Sequence, residues 1–213
     1  MFYFIVTTCL LPTDYEIRES QYKRCIGRLL DLINIHFDRM SVKVVIVEGN
    51  GQRETYLDTF VSDLTSVVYT SNNLLKLVNK GHTELLDIVE CIHRCNVNND
   101  EFIVKLTGRY YIEDESPLFN AIKSNLVTNQ YDCYIKYGSY QKTSSEPVRD
   151  CITGLIAMRT FFVKQIHTPK ETECVEWIWV STSIDKINPQ RVLPIIGRMG
   201  LSLCPGSNDY FSI

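Results

Sequence analysis

The chain has 213 residues, 45% hydrophobic and 22% charged, with a formal net charge of −3. These are ordinary globular values, and they allow a single domain with a sizeable core. A slightly acidic chain without runs of like charge is not built to grip nucleic-acid phosphates, so nucleic acid is excluded as a partner.

Met1 to Leu11 is apolar but has no basic leader and no small-residue cleavage site, and it is too short to span a bilayer. It reads as a first buried strand, Phe2 to Cys9, and no later stretch reaches transmembrane length. The eight cysteines are scattered. Cys91 and Cys95, with His93 between them, lack a second ligand pair for zinc. A reduced, cytoplasmic protein fits this usage.

From Gln21 to Phe37, apolar residues recur at three and four and predict an amphipathic helix. Val42 to Val47 is a second strand, ending in the tight turn Glu48-Gly49-Asn50-Gly51. Arg53 to Phe60 predicts a short helix, and Ser66 to Thr70 a third strand followed by Ser71-Asn72-Asn73. Asn79-Lys80-Gly81-His82 reads as a turn, with Thr83 capping a helix to about Cys95. Phe102 to Leu106 is then a buried strand running into Thr107-Gly108-Arg109-Tyr110-Tyr111.

This β-α-β-α-β-α-β order predicts an α/β fold with a mostly parallel sheet. Polar loops follow all four strands on one edge: Thr7-Thr8, Glu48-Gly49-Asn50, Ser71-Asn72-Asn73 and Thr107-Gly108-Arg109. Ligands of open α/β sheets lie at such an edge. Gly108 allows close backbone approach and Arg109 offers a planar fork for phosphate oxygens, so a phosphorylated ligand is expected there.

The later chain is less regular. A helix is expected over Pro117 to Asn125, a strand over Tyr131 to Tyr137, and a polar loop over Gln141 to Asp150. A strand and a helix should fall within Cys151 to Ile166, and another helix over Glu171 to Val180. Trp177 and Trp179 read as core. The polar tail around Gly206 to Tyr210 reads as a lid or a frayed end. One domain is expected, with a nucleotide-binding half over about residues 1–112 and an acceptor half over 113–213.

No GxGxxG, P-loop lysine motif or GxSxG is present, which argues against dinucleotide dehydrogenases, P-loop NTPases and α/β-hydrolases. The stretches TTCLLPTDYEIRESQYKRCIGRLLDLI, VVIVEGNG, NKGHTELLDIVECI and FIVKLTGRYYI together resemble the GT-A nucleotide-sugar glycosyltransferases. The K-x-T-G-R-Y pattern is similar to a subgroup that includes amino-terminal domains of chlorella-virus capsid-glycan transferases.

That resemblance implies an α/β/α sandwich and transfer of a hexose or deoxyhexose from a UDP-sugar such as UDP-glucose to a hydroxyl of a glycan or glycoprotein. For a viral protein the site of action would be the host cytoplasm. It places Thr7, Thr8 and Arg18 along the nucleotide, and Glu48 at the base or ribose. Tyr69, Ser71 and Asn72 fall beside the base, and Lys80 near base and phosphates.

Relatives carry Asp-x-Asp where this chain has Thr107-Gly108-Arg109. Either Lys105, Arg109 and Lys80 stabilise the leaving diphosphate, or Mn²⁺ or Mg²⁺ is held by other residues, with Asp114 and Asp209 as candidates. ECVEWIW resembles the acidic helix that carries the base of inverting relatives. Glu176 is the first choice and Glu173 the second, expected on one helical face; Glu146 and Asp150 are alternatives. The same two acids also suit a solvated first helical turn. Two rivals stay open: a nucleotide-sugar-binding module that has lost catalysis, and a sugar nucleotidyltransferase.

Overall fold

The computed structural model describes residues 1–11, 15–77, 79–138 and 150–203. In chain order the elements are β1 (Phe2–Thr8), α1 (Tyr15–His36), β2 (Val42–Glu48), β3 (Thr65–Tyr69), α2 (Lys80–Arg94), β4 (Phe102–Thr107) and β5 (Tyr110–Ile112). There follow α3 (Pro117–Thr128), β6 (Cys133–Ile135), β7 (Leu155–Arg159), α4 (Thr160–Val163), α5 (Val175–Asp185), β8 (Val192–Pro194) and β9 (Leu201–Leu203). Short 3₁₀ turns cover Tyr56–Phe60 and Asn72–Leu75.

The main sheet has seven strands in the order β3-β2-β1-β4-β7-β6-β8. Only β7 runs against the rest, antiparallel to both β4 and β6. Thr7 of β1 lies opposite Val47 of β2 and Thr107 of β4, so three strands end level with one another. A separate ribbon pairs β5 with β9 antiparallel.

Strand alternation sends successive side chains to opposite faces. Phe4, Val44, Ile46, Val104 and Leu106 pack with Tyr22, Ile26, Leu29 and Ile33 of α1 and with Phe119 and Ile122 of α3. Ile5, Val45, Val47 and Ile103 pack on the other face with Leu85, Ile88 and Ile92 of α2 and with Trp179 and Val180 of α5. The result is a mixed α/β/α arrangement of the kind expected. The alternation also sends Lys105 to the α2 face, although it lies in the middle of an apolar strand.

Three α-helix starts differ from expectation. Helix α1 starts at Tyr15, six residues early, because its first turns are polar and solvent-facing and carry no apolar period. Helix α2 starts at Lys80: the Asn79 side chain accepts from Gly81 N at 2.8 Å, and Thr83 lies inside the helix, donating to Lys80 O at 2.7 Å. Gly81 is a packing residue, since a Cβ there would lie 2.3 Å from Val175 Cγ1. Helix α5 starts at Val175, after a turn in which Glu173 Oε2 accepts from Lys170 N at 2.8 Å. Glu173 is therefore off the helix, and the expected shared face with Glu176 does not form. The loop from Gln141, with Glu146, and the tail with Asp209 lie outside the described residues.

Candidate functional site

The carboxyl ends of β1 and β4 open into a cleft lined by Thr7, Thr8, Cys9, Arg18, Tyr22, Asn50, Asn73, Lys76, Lys80, Thr83, Glu84, Asp87, Thr107 and Arg109. A second cleft adjoins it, lined by Tyr110, Asp150, Thr153, Gly154, Cys174, Glu176 and Trp177. Lys80, Glu84, Thr107 and Arg109 line both and mark the junction.

The expected residues divide into those that reach the cleft and those that hold it up. Thr7, Thr8, Arg18, Lys80, Thr107 and Arg109 line it. Thr7 Oγ1 donates to Glu84 Oε1 at 3.3 Å, and Arg18 Nη1 donates to Cys9 O at 3.3 Å. The Arg109 guanidinium and the Lys80 ammonium form no hydrogen bond or ion pair with any described residue.

Glu48 lies below the cleft with 0% of its surface exposed. Its carboxylate accepts from Thr8 Oγ1 at 3.0 Å, Leu10 N at 3.1 Å and Arg53 Nη2 at 3.1 Å, and from the Asn50 amide. It ties the loop after β1 to the turn after β2. Tyr69 is buried, and its hydroxyl is taken by Asp58 at 2.9 Å and Thr55 at 2.8 Å. Asn72 donates to Asp87 Oδ1 at 2.8 Å, Ser71 precedes the turn that presents Asn73 and Lys76, and neither Ser71 nor Asn72 lines the cleft.

Lys105 is 2% exposed. Its ammonium donates to Thr107 Oγ1 at 2.6 Å and to Thr153 O, and pairs with Glu84 Oε2 at 3.0 Å. An ammonium has three donors, and all three are used. The expectation that Lys105 meets the diphosphate therefore gives way to a supporting role beneath Glu84. Gly108 N donates to Thr7 O at 2.9 Å, and a Cβ there would press on the Tyr22 ring at 3.0 Å and on Thr7 O at 3.1 Å. The glycine serves closure of β4 on β1.

In the second cleft, Glu176 occupies the first turn of α5. Its Oε2 accepts from Cys174 Sγ at 2.8 Å, and Thr153 Oγ1 approaches Oε1 at 3.5 Å. Burial, with the Glu176 charge adding to it, raises the Asp150 pKa. Glu173 faces away, paired with His167 at 3.0 Å. Its pKa is lowered by the Lys170 N–H and the imidazole. The two tryptophans part company: Trp179 is 2% exposed in the core, while Trp177 is 51% exposed on the second cleft.

Lys76, Glu84 and Asp87 were missed from sequence. Lys80, Thr83, Glu84 and Asp87 recur at three and four along α2, so their shared stripe was available beside the apolar one. Asp87 is buried and accepts from the Thr70 hydroxyl and from Asn72. Its pKa is raised to about 6, chiefly by burial and further by Glu84 and Glu90. Asp114 lies away from the cleft, exposed and paired with Arg28. Among the described residues, no group of three or more His, Cys, Asp or Glu side chains is arranged to hold a metal ion, and none of the helices is long and apolar enough to cross a membrane.

No family model and no curated protein matches the chain. Solved structures do. Staphylococcus aureus TarS, residues 1–349 in complex with UDP-GlcNAc, aligns with a TM-score of 0.59 at 14% identity, over 98% of this chain and 60% of that one. The mannosyltransferase PcManGT from Pyrobaculum calidifontis, in complex with GDP-Man and Mn²⁺, aligns at 0.58 and 11% identity, over 91% of this chain and 54% of that one. A Bacillus anthracis protein assigned as a glucose-1-phosphate thymidylyltransferase, in complex with sucrose, aligns at 0.57 and 11%, over 95% and 89%.

The fold is thus that of the GT-A-like nucleotide-diphospho-sugar transferases. The chain spans between half and two thirds of the length of the two glycosyltransferases. None of the three neighbours connects it to a viral capsid.

Proposed function

We propose that the protein is a glycosyltransferase that binds a nucleoside diphosphate sugar in the first cleft and a glycan hydroxyl in the second. The observation that carries this is the junction: the Arg109 guanidinium, unpartnered among the described residues, lines both clefts, and the Glu176 carboxylate lines the second. Charge develops on the leaving diphosphate as the glycosidic C–O bond breaks, and fixed cations there lower the barrier. The new bond forms from the acceptor oxygen to the anomeric carbon, and the acceptor proton passes to Glu176. The products are the glycosylated acceptor and the nucleoside diphosphate. Trp177 and Tyr110 offer apolar ring faces to the acceptor sugar.

A uridine nucleotide is the first donor to test. The neighbours' complexes hold UDP-GlcNAc in one case and GDP-Man in another, so both bases belong in the panel. A hexose or deoxyhexose donor and a capsid-glycan acceptor rest on the K-x-T-G-R-Y resemblance alone. PcManGT is bound to Mn²⁺, but the donors in this cleft suit that ion poorly, because Glu84 is committed to Lys105 and Asp87 to Thr70 and Asn72.

The test is to incubate the full chain with UDP-, GDP- and dTDP-sugars and follow the released nucleotide. Nucleoside diphosphate release, stimulated by a glycan acceptor, is expected. Pyrophosphate formed from a sugar phosphate and a nucleoside triphosphate would instead indicate a nucleotidyltransferase, and donor binding without turnover a binding module.

A further inference from the structure

Resting on the donor reading above, we propose that Arg109, Lys80 and Lys76 hold the donor diphosphate directly, in place of a divalent metal. The chain as a whole carries −3, yet the first cleft gathers Arg18, Lys76, Lys80 and Arg109 against two acids, Glu84 and Asp87. Glu84 is neutralised from beneath by Lys105 at 3.0 Å. The Asp87 carboxyl is bonded by Thr70 and Asn72. The local balance is therefore cationic.

The charged ends of Lys76, Lys80 and Arg109 form no hydrogen bond or ion pair with any described residue, whereas other cations nearby are engaged. Arg18 bonds Cys9 O, Arg53 bonds Glu48, and Lys105 bonds Glu84. Three cations without a partner among the described residues at one mouth repel one another and are stabilised by a polyanion between them. Arg109 stands at the junction, where its fork can take two phosphate oxygens at once. Lys76 caps the 3₁₀ turn after β3 and Lys80 opens α2, so two further elements bring cations to the cleft that Arg109 lines.

The same residues are ill-suited to Mn²⁺ or Mg²⁺. Hard dications take oxygen ligands, carboxylates above all. At the end of β4, where relatives place Asp-x-Asp, this chain presents a hydroxyl already bonded to Lys105, a glycine buried against Tyr22, and an arginine. A dication there would meet the positive charge of Arg109 and Lys80.

The experiment is calorimetric titration of UDP and GDP into the full chain, once with EDTA and once with Mn²⁺. The expected result is a dissociation constant unchanged within about twofold between the two conditions. Arg109→Ala should weaken binding by about 10- to 100-fold, the range for losing a charged hydrogen bond. Lys80→Ala, at an exposed helical position, gives an independent reading with a smaller loss in the same direction. Binding that requires Mn²⁺, or that ignores both substitutions, would overturn this inference and leave the donor reading standing. Absence of binding in either condition would overturn both.

Discussion

The two clefts share Lys80, Glu84, Thr107 and Arg109 but differ in the charge they add. The first adds Arg18 and Lys76 around a floor of bonded polar groups. The second adds the acids Asp150 and Glu176 with the rings of Tyr110 and Trp177. A cationic cleft, in which the Lys76, Lys80 and Arg109 side chains pair with none of the described residues, suits an anion that must be held as it departs. A carboxylate beside ring faces suits a sugar hydroxyl that must lose a proton. The difference separates binding from turnover, and substitutions on the two sides should affect different measurements.

The largest expected effect belongs to the second cleft. Glu176→Gln should lower turnover by about 10²- to 10⁴-fold, the usual worth of a general base, while leaving the UDP dissociation constant unchanged. Wild-type turnover in steady-state assays would remove Glu176 from the chemistry. Next comes the ion pair under the junction. Glu84→Ala leaves the Lys105 ammonium buried without its counter-charge, and should cost about 3–5 kcal/mol in chemical denaturation. Lys105→Met should cost less, because the Glu84 it frees is 33% exposed and can hydrate. Equal losses would show that Lys105 is not a pinned charge.

A smaller effect is expected at Trp177. Its replacement by Ala should raise the acceptor KM by about tenfold, as for loss of one ring contact, with donor KM unmoved. A change in donor KM alone would place the ring in the wrong cleft.

The last of these effects is a pH dependence. The folded-state pKa of Asp87 is raised to about 6 from an ordinary value of 3.8, so the native protein binds the proton more tightly than the unfolded chain. Its contribution is fully present below pH 3.8 and is lost as pH rises through about 6. Relative to Asp87→Asn, the wild type should therefore lose stability between pH 4 and 7, by at most about 3 kcal/mol. Parallel denaturation curves of the two proteins across that range would contradict this.

The sheet was largely legible in sequence because β1, β2 and β4 are continuous apolar runs bounded by polar turns. The edge that carries the cleft followed from those turns. What escaped depended on partners far along the chain. Glu84 escaped because its counter-charge, Lys105, lies 21 positions later on another element. Lys105 looked ligand-facing because strand alternation alone does not say which helix waits on that face. Glu48 looked available because its four donors come from the end of β1 and from the loops after β1 and β2. Glu173 was placed on α5 because Cys174, at the cap, carries none of the usual capping chemistry. Gly108 looked like a ligand contact, and only the Tyr22 ring against it shows what it admits.

The measurement that tests the central claim most directly is a structure of the full chain with UDP bound in the presence of EDTA. The account expects the diphosphate in the first cleft, its oxygens within hydrogen-bond distance of Arg109 and one or both of Lys76 and Lys80. A nucleotide seated elsewhere, or a diphosphate in this cleft that leaves the Arg109 guanidinium without contact, would contradict it.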